Sequence, residues 1–218
     1  MRMRRIPWAA DYLKTSGSRI MDPASRKGSW KKENPARLHL EIGAGKGGYS
    51  AGMAALYPKE QFVAVEKNES AAGLAAKKFD EAALDNLSLI YGDGADLSLW
   101  FDPQEVDVIH LNFSDPWPKD RHAKRRLTSP DFMAVYDKIL AADGMVEFKT
   151  DNKGLFDYSL EAIPEAGWTI TAHTFDLHHD PVMCAGNVMT EYEEKFSSMG
   201  NPICKLIAMR EPKENKEK

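Results

Sequence analysis

Ser114-Asp115-Pro116-Trp117-Pro118-Lys119 puts a carboxylate, a large flat ring and a cation within six residues. Pro116 and Pro118 restrict the backbone on either side of the ring. An aromatic ring held this way can stack on an unpaired base, and an acid beside it can hydrogen-bond the base edge. The plainer alternative is a rigid loop whose Trp117 packs into the core. The segment that follows favours the first reading. From Lys119 to Arg126 there are five Lys/Arg in eight residues: Lys119, Arg121, Lys124, Arg125 and Arg126, with His122 among them. A solvated helix face usually mixes signs at i and i+4, and this stretch does not. Clustered cations gain free energy by releasing counterions from phosphates. A base pocket opening onto a phosphate-binding ridge is a coherent pair.

A second group of residues has the spacing of a nucleotide site. Gly43-Ala44-Gly45-Lys46-Gly47-Gly48 can turn sharply and approach a ligand closely. As G-x-G-x-x-G (Gly43, Gly45, Gly48) it fits a dinucleotide fingerprint. As E-x-G-x-G-x-G (Glu41, Gly43, Gly45, Gly47) it fits an S-adenosyl-L-methionine loop. Either match alone is weak. Glu66 lies about twenty residues further on, where an acid accepts ribose hydroxyls and disfavours a 2′-phosphate. That points to NAD or S-adenosyl-L-methionine over NADP. Asp93, in Gly92-Asp93-Gly94-Ala95-Asp96, can bond an adenine amino group or simply shape a turn. Thr150-Asp151-Asn152 can be a helix cap. Thr190-Glu191-Tyr192-Glu193 can bind base donors or start a helix, and the residues alone do not choose.

Other chemistries find little support. The six histidines lack metal-ligand spacing with acids or cysteines, so no metal is expected. There is no Gly-x-Ser-x-Gly elbow. Cys184 and Cys204 have no basic partner nearby in sequence, which leaves a thiolate nucleophile unsupported.

The elements that must position these groups alternate along the chain. Strands are expected at 38–42, 61–65, 87–91, 106–113 and 145–149, with two late strands at 168–175 and 203–209. Helices are expected at 49–57 and at 69–84, the latter rich in alanine. Another begins with Ser129 as cap and Pro130 in the first position, and ends near Ala141. A further one at 155–166 is weakened by Pro164. This alternation implies right-handed crossovers and a mainly parallel sheet, an α/β fold. In such sheets ligands bind beyond the carboxyl ends of the strands. Every candidate above, the Thr190–Glu193 run excepted, directly follows a strand or its turn.

With 218 residues, 43% hydrophobic and 28% charged, the chain suits one main domain with a sizeable core. Two cysteines exclude a disulfide-rich scaffold and a four-cysteine zinc site. No apolar run approaches the ~18 residues of a membrane span, and the start does not resemble a signal peptide; a cytoplasmic protein is expected. Charge is uneven. Residues 1–37 balance to +7 and the remainder to −11, for a net −4. The basic head, with Gly, Ser and Pro scattered through it, reads as an extended or partly ordered arm, either a solvated tail or an arm for a polyanion. Residues 38–210 form the catalytic domain in this reading, and 211–218 a frayed tail.

Taken together, Leu38 to Gly47, Asn112 to Lys119, Arg121 to Leu127, Thr150 to Asn152 and Thr190 to Glu193 resemble the bacterial tRNA (guanine-N7)-methyltransferases of the TrmB type. The resemblance spans roughly residues 38–210. The proline-braced segment joined to the basic run is its most specific part. It implies a class I S-adenosyl-L-methionine-dependent methyltransferase fold: a Rossmann-like, seven-stranded, mainly parallel sheet with the last strand antiparallel and helices on both faces. It implies that Glu41, Gly43, Gly45, Gly47, Glu66, Asp93 and Asp115 serve the cofactor. Lys119, Asp151, Thr190, Glu191, Tyr192 and Glu193 would face the substrate guanosine. Arg121, His122, Lys124, Arg125 and Arg126 would touch RNA, with Arg125 and Arg126 on phosphates. The family's target lies in the tRNA variable loop; a monomer or homodimer is expected. Two departures stand out. Ala44 replaces a common Ser, and Gly94 follows Asp93 where Ala is usual, so Asp93 or Asp96 is the adenine contact.

Guanine N7 is a lone-pair nucleophile with no proton to remove, so in-line transfer needs no general base. Asp115 is the candidate catalytic residue, orienting the purine and offsetting its developing positive charge, with Asp151 or Glu193 on its donor edge. N7 is hidden in the deep major groove of A-form RNA, so the target must be looped or flipped out. The rival readings are an NAD-dependent oxidoreductase and an RNA-binding module without catalysis. An exocyclic-amino methyltransferase is disfavoured, because only one proline stands between Asp115 and the ring.

Overall fold

In the computed structural model, which describes residues 4–210, seven strands form one sheet in the order β3-β2-β1-β4-β5-β7-β6. The chain runs α1 (Ala9–Thr15), α2 (Trp30–Glu33), β1 (Leu38–Ile42), α3 (Gly48–Leu56), β2 (Gln61–Glu66), α4 (Glu69–Ala82) and β3 (Leu87–Tyr91). It continues with α5 (Leu97–Trp100), β4 (Val106–Asn112), α6 (Pro130–Ile139), β5 (Leu140–Thr150), α7 (Lys153–Glu165), β6 (Trp168–Thr174), α8 (Glu191–Ser197) and β7 (Cys204–Arg210). β1 pairs in parallel with both β2 and β4, and β7 runs antiparallel between β5 and β6. The strand order therefore reverses between β1 and β4, which places the ligand crevice there.

Two apolar layers sandwich the sheet. Leu38, Leu40 and Ile42 of β1 project into one layer with Ile109, Leu111, Tyr136 and Phe156. The other joins Tyr49, Phe62, Ala72, Ala76 and Phe79 under α3 and α4. Strand and helix centres lie where the sequence places them. β5 reaches back to Leu140 because Val106 pairs with that residue across a bulge. Gly144 sits in this bulge, where an added Cβ would lie 2.9 Å from the Ala141 carbonyl oxygen.

The basic head is laid against the body rather than extended from it. Ala9 of α1 packs against Gly73 of α4, where an added Cβ would come within 2.5 Å of the alanine Cβ. Ser18 N–H donates to Asp80 Oδ1 at 2.8 Å. Ile20 N–H donates to the Leu89 carbonyl at 2.8 Å. Trp30 is 2% exposed, stacks on Phe101 and donates its indole N–H to the Trp100 carbonyl. Net charge conceals these few apolar anchors, and acids of the body (Asp80, Glu105, Asp107) accept from the head. Residues 1–3 and the tail at 211–218, expected to fray, lie outside the described residues. Among the described residues no helix is long and apolar enough to cross a membrane.

Candidate active site

The loops after β1 and β4 part at the reversal of strand order, and an open cavity of 430 Å³ lies between them. That volume falls within the range of small-molecule sites. Its walls come from the ends of four parallel strands: Gly43 and Gly45 after β1, Glu66 ending β2, Asp93 after β3, and Ser114, Asp115 and Trp117 after β4.

The glycine loop is shaped for close approach. Gly43 and Gly45 have φ of +77° and +58°, a region that side chains disfavour. An added Cβ at either would meet nothing within 4 Å, so both turn bare backbone toward open space. The N–H groups of Gly43 and Ala44 both point back to the Val65 carbonyl, at 2.8 and 3.1 Å. Gly45 N–H donates to Glu66 Oε2 at 2.8 Å, and Asn68 N–H to Oε1 at 2.7 Å. Burial raises the Glu66 pKa, and these backbone donors partly counter it. Asp93 accepts from Ala95 N–H at 3.1 Å. Asp96 is exposed and absent from the cavity wall, which leaves Asp93 as the acid facing the crevice. Gly94 is buried on Ile42, where a Cβ would come within 2.7 Å of Cγ2.

The loop after β4 is strained and braced. Phe113 and Trp117 have φ of +52° and +42°, costing on the order of 1–3 kcal/mol each for a side-chain-bearing residue. Phe113 N–H donates to the Lys149 carbonyl at 2.9 Å. Arg126 donates to the carbonyls of Pro116 and Trp117 at 3.2 and 3.1 Å. The Arg125 guanidinium lies 4.9 Å from the Trp117 ring centre. Asp115 is exposed at the cavity and forms no ion pair among the described residues. Beside it the Ser114 Oγ is buried without a hydrogen-bond partner. Among the described residues no histidine or cysteine lines the cavity. His110 is buried elsewhere, its pKa depressed to about 3 by desolvation, and is neutral.

Comparison with known proteins agrees with this layout. Residues 35–206 match a family model described as "Putative methyltransferase". A tRNA (guanine-N(7)-)-methyltransferase of Lachnoclostridium phytofermentans is 48% identical over 215 residues, covering 97% of this chain and 99% of that protein. The protein of the same name from Geobacillus thermodenitrificans is 44% identical over 218 residues, covering 99% and 100%. The chain belongs to the tRNA (guanine-N7)-methyltransferase family. Among solved structures, the 16S rRNA methyltransferase KamB shares the fold with a TM-score of 0.62 at 14% identity, covering 84% of this chain and 91% of that one. The seven-stranded sheet with antiparallel β7 is the class I methyltransferase fold.

Within this methyltransferase fold, several motif residues lie away from the cavity wall. Glu41 sits beneath it, 3% exposed, accepting from Ser50 Oγ and from Asn112 Nδ2 at 2.9 Å. Burial lifts its pKa to about 7. Gly47 is glycine for packing: a Cβ there would come within 2.5 Å of the Phe79 ring. Arg126, expected on RNA phosphates, is instead only 9% exposed and lies over the Tyr158 ring while bracing the Trp117 loop. Its neighbours Lys119, Arg121, Lys124 and Arg125 are exposed, and His122 packs edge-on to Trp117. Arg125→Ala should therefore lower the salt slope of RNA binding by about one without changing the melting temperature. Arg126→Ala should instead cost about 2 kcal/mol of stability, as measured by chemical denaturation.

The Thr190–Glu193 run is divided between roles. Thr190 caps α8, its Oγ1 accepting from Glu193 N–H at 2.9 Å. Glu191 pairs with Lys78. Tyr192 packs 5.0 Å from Phe113, a cavity-wall residue, and donates its hydroxyl to Asp151 at 3.2 Å. Tyr192 thus packs on a residue of the cavity wall and joins Asp151 to it, although neither is part of that wall. The Glu193 carboxylate is fully buried and paired with Lys149 at 2.7 Å, so it is not available to grip a base edge. Sequence reasoning missed Phe113, Ser114 and Lys149. The first two carried a signal, since they begin the same strand-end segment as Asp115. Lys149 carried none, because it reads as an ordinary polar residue ending a strand.

Proposed function

We propose that this protein transfers a methyl group from S-adenosyl-L-methionine to N7 of a guanosine in the variable loop of tRNA. One observation carries the reading. The bare backbone of Gly43 and Gly45, the Glu66 carboxylate and the unpaired Asp115 carboxylate all line one cavity at the switch point. The donor set fits the cofactor: an acid fixed by two backbone N–H groups for ribose hydroxyls, Asp93 for the adenine, and an approachable loop for the amino-acid end. When bound, the cofactor supplies an electrophilic methyl group on a sulfonium.

The remaining work falls to the protein's own side chains. Phe113 and Trp117 give flat apolar surface for a purine and limit water at the reacting edge. Asp115 orients the purine and offsets the positive charge that grows on it. Holding N7 about 3–3.5 Å from its target carbon is the main source of rate. No residue has to remove a proton from N7, in keeping with a wall that lacks histidine. Asp151 and Tyr192 border the place where the donor edge of the base would lie. Lys119, Arg121, Lys124 and Arg125 extend outward as a cationic ridge for the phosphates on either side of the target.

Incubation with methyl-labelled cofactor and unmodified bulk tRNA, followed by nucleoside analysis, tests this. Label is expected in 7-methylguanosine. Label in another nucleoside, or tRNA binding without transfer, would reject the proposal.

A further inference from the structure

Lys149 is the penultimate residue of β5, two before Asp151, and its side chain is 4% exposed. An ammonium has three N–H donors, and here three acceptors receive them. They are Glu193 Oε2 at 2.7 Å, Asn187 Oδ1 at 2.9 Å and the Val188 carbonyl at 3.0 Å. The group also lies 4.9 Å from the Tyr49 ring centre. Asn187 in turn donates to the second Glu193 oxygen at 2.8 Å, and His178 Nε2 approaches it at 3.4 Å. All three acceptors lie in the long connection between β6 and β7. The described regular structure of that connection is one 3-10 turn (Leu177–His179) and the short α8. A helix of seven residues has little stability of its own.

We infer that Lys149 is the positioning residue for the guanosine-facing segment, and that Glu193 acts through it as an anchor rather than as a ligand of the base. The inference rests on the functional reading above. Its physical content is direct. The buried pair pins residues 187–193 to the end of β5. Tyr192, next to Glu193 in sequence, is thereby held against Phe113 and in hydrogen-bond contact with Asp151. Loss of the ammonium leaves a buried carboxylate without its cation, which moves toward solvent or takes up a proton. Either way the ring next to the cavity loses its seat. Glu191 and Val188 of the segment pack on Gly48 and Gly52 of α3, but among the described residues no hydrogen bond or ion pair joins Lys149 or Glu193 to Gly43, Gly45 or Glu66, so the cofactor side should be largely spared.

The test uses the full chain with Lys149→Met and Lys149→Gln. The glutamine variant keeps a neutral donor should the methionine variant fail to fold. For either, kcat/KM for tRNA is expected to fall about ten- to hundredfold, as for a misplaced contact. The Kd for S-adenosyl-L-methionine, measured by calorimetry, should stay within about twofold. Amide hydrogen exchange should quicken over 187–197 but not over 87–100. Unchanged tRNA kinetics, or cofactor affinity and tRNA kinetics falling by the same factor, overturns the inference, because a general loss of packing would move both. If the wild type forms no 7-methylguanosine, the functional reading fails by itself. The exchange pattern then still decides whether Lys149 orders the segment.

Discussion

Asp115→Asn is expected to lower kcat by about 10²- to 10³-fold with thermal unfolding unchanged. The substitution keeps size and one acceptor oxygen, removes the charge and turns the other oxygen into a donor. Asp115 is exposed at the cavity and forms no ion pair among the described residues, so the folded state should not register its loss. The transition state should. Methyl transfer moves positive charge from sulfur onto the purine, and a fixed carboxylate favours that movement most when it cannot reorganise. Removing one preorganised group aimed at developing charge typically has an effect of this size. The backbone here is rigid because Pro116 and Pro118 restrict it and Arg126 binds the carbonyls of Pro116 and Trp117. Single-turnover transfer to unmodified tRNA, with cofactor affinity measured in parallel, checks the prediction. Full turnover by a folded Asp115→Asn protein would remove the charge-offsetting role.

Glu41→Gln should change how stability depends on pH. Glu41 is 3% exposed and its pKa is lifted to about 7 by burial. An acid whose pKa is higher in the folded state keeps its proton longer there than in the unfolded chain. Between pH 4.5 and 7 the folded state therefore holds more protons, and stability falls as pH rises through that window. The lifted pKa corresponds to a loss on the order of 3 kcal/mol that is complete above pH 7. Glutamine carries no charge and can still meet Ser50 and Asn112. The variant should match the wild type near pH 4.5 and exceed it in stability by roughly 3 kcal/mol at pH 8. His110, with its pKa depressed to about 3, acts in the opposite sense: its contribution is lost as pH falls below the ordinary histidine value of 6.5. Both proteins share that term, so the difference between their denaturation midpoints across pH isolates Glu41. A constant offset from pH 4.5 to 8 would show that Glu41 is already charged when buried.

The readable parts of the fold were those with local causes. Leu38–Ile42 and Leu87–Tyr91 are strands with the boundaries their apolar runs indicate, and α6 starts at Pro130 behind Ser129 as that pair implies. The short helices α1 and α5 were not legible, and α8 was only one of two readings of Thr190–Glu193. They have seven, four and seven residues, too few to hold by propensity, and exist because neighbours pack on them. The head of the chain was misread for a related reason. Its charge was visible, but the docking of Trp30 on Phe101 and of Ala9 on Gly73 depends on partners about seventy residues away.

The site divides along the same line. Residue type and spacing alone determined which segments meet at the carboxyl edge of the sheet. A glycine turn, an acid one strand later and a proline-braced Asp-Trp pair have fixed places in a parallel α/β chain. Which carboxylate or guanidinium remains free for a ligand was decided only by tertiary structure. Asp115 and Arg125 are open to solvent, while Glu193 and Arg126, of the same chemical types and in adjacent motifs, are enclosed by Lys149 and by the Pro116 and Trp117 carbonyls. Burial depends on residues brought together from distant parts of the chain, and a charge removed from water must find its partner inside; no local pattern records that pairing.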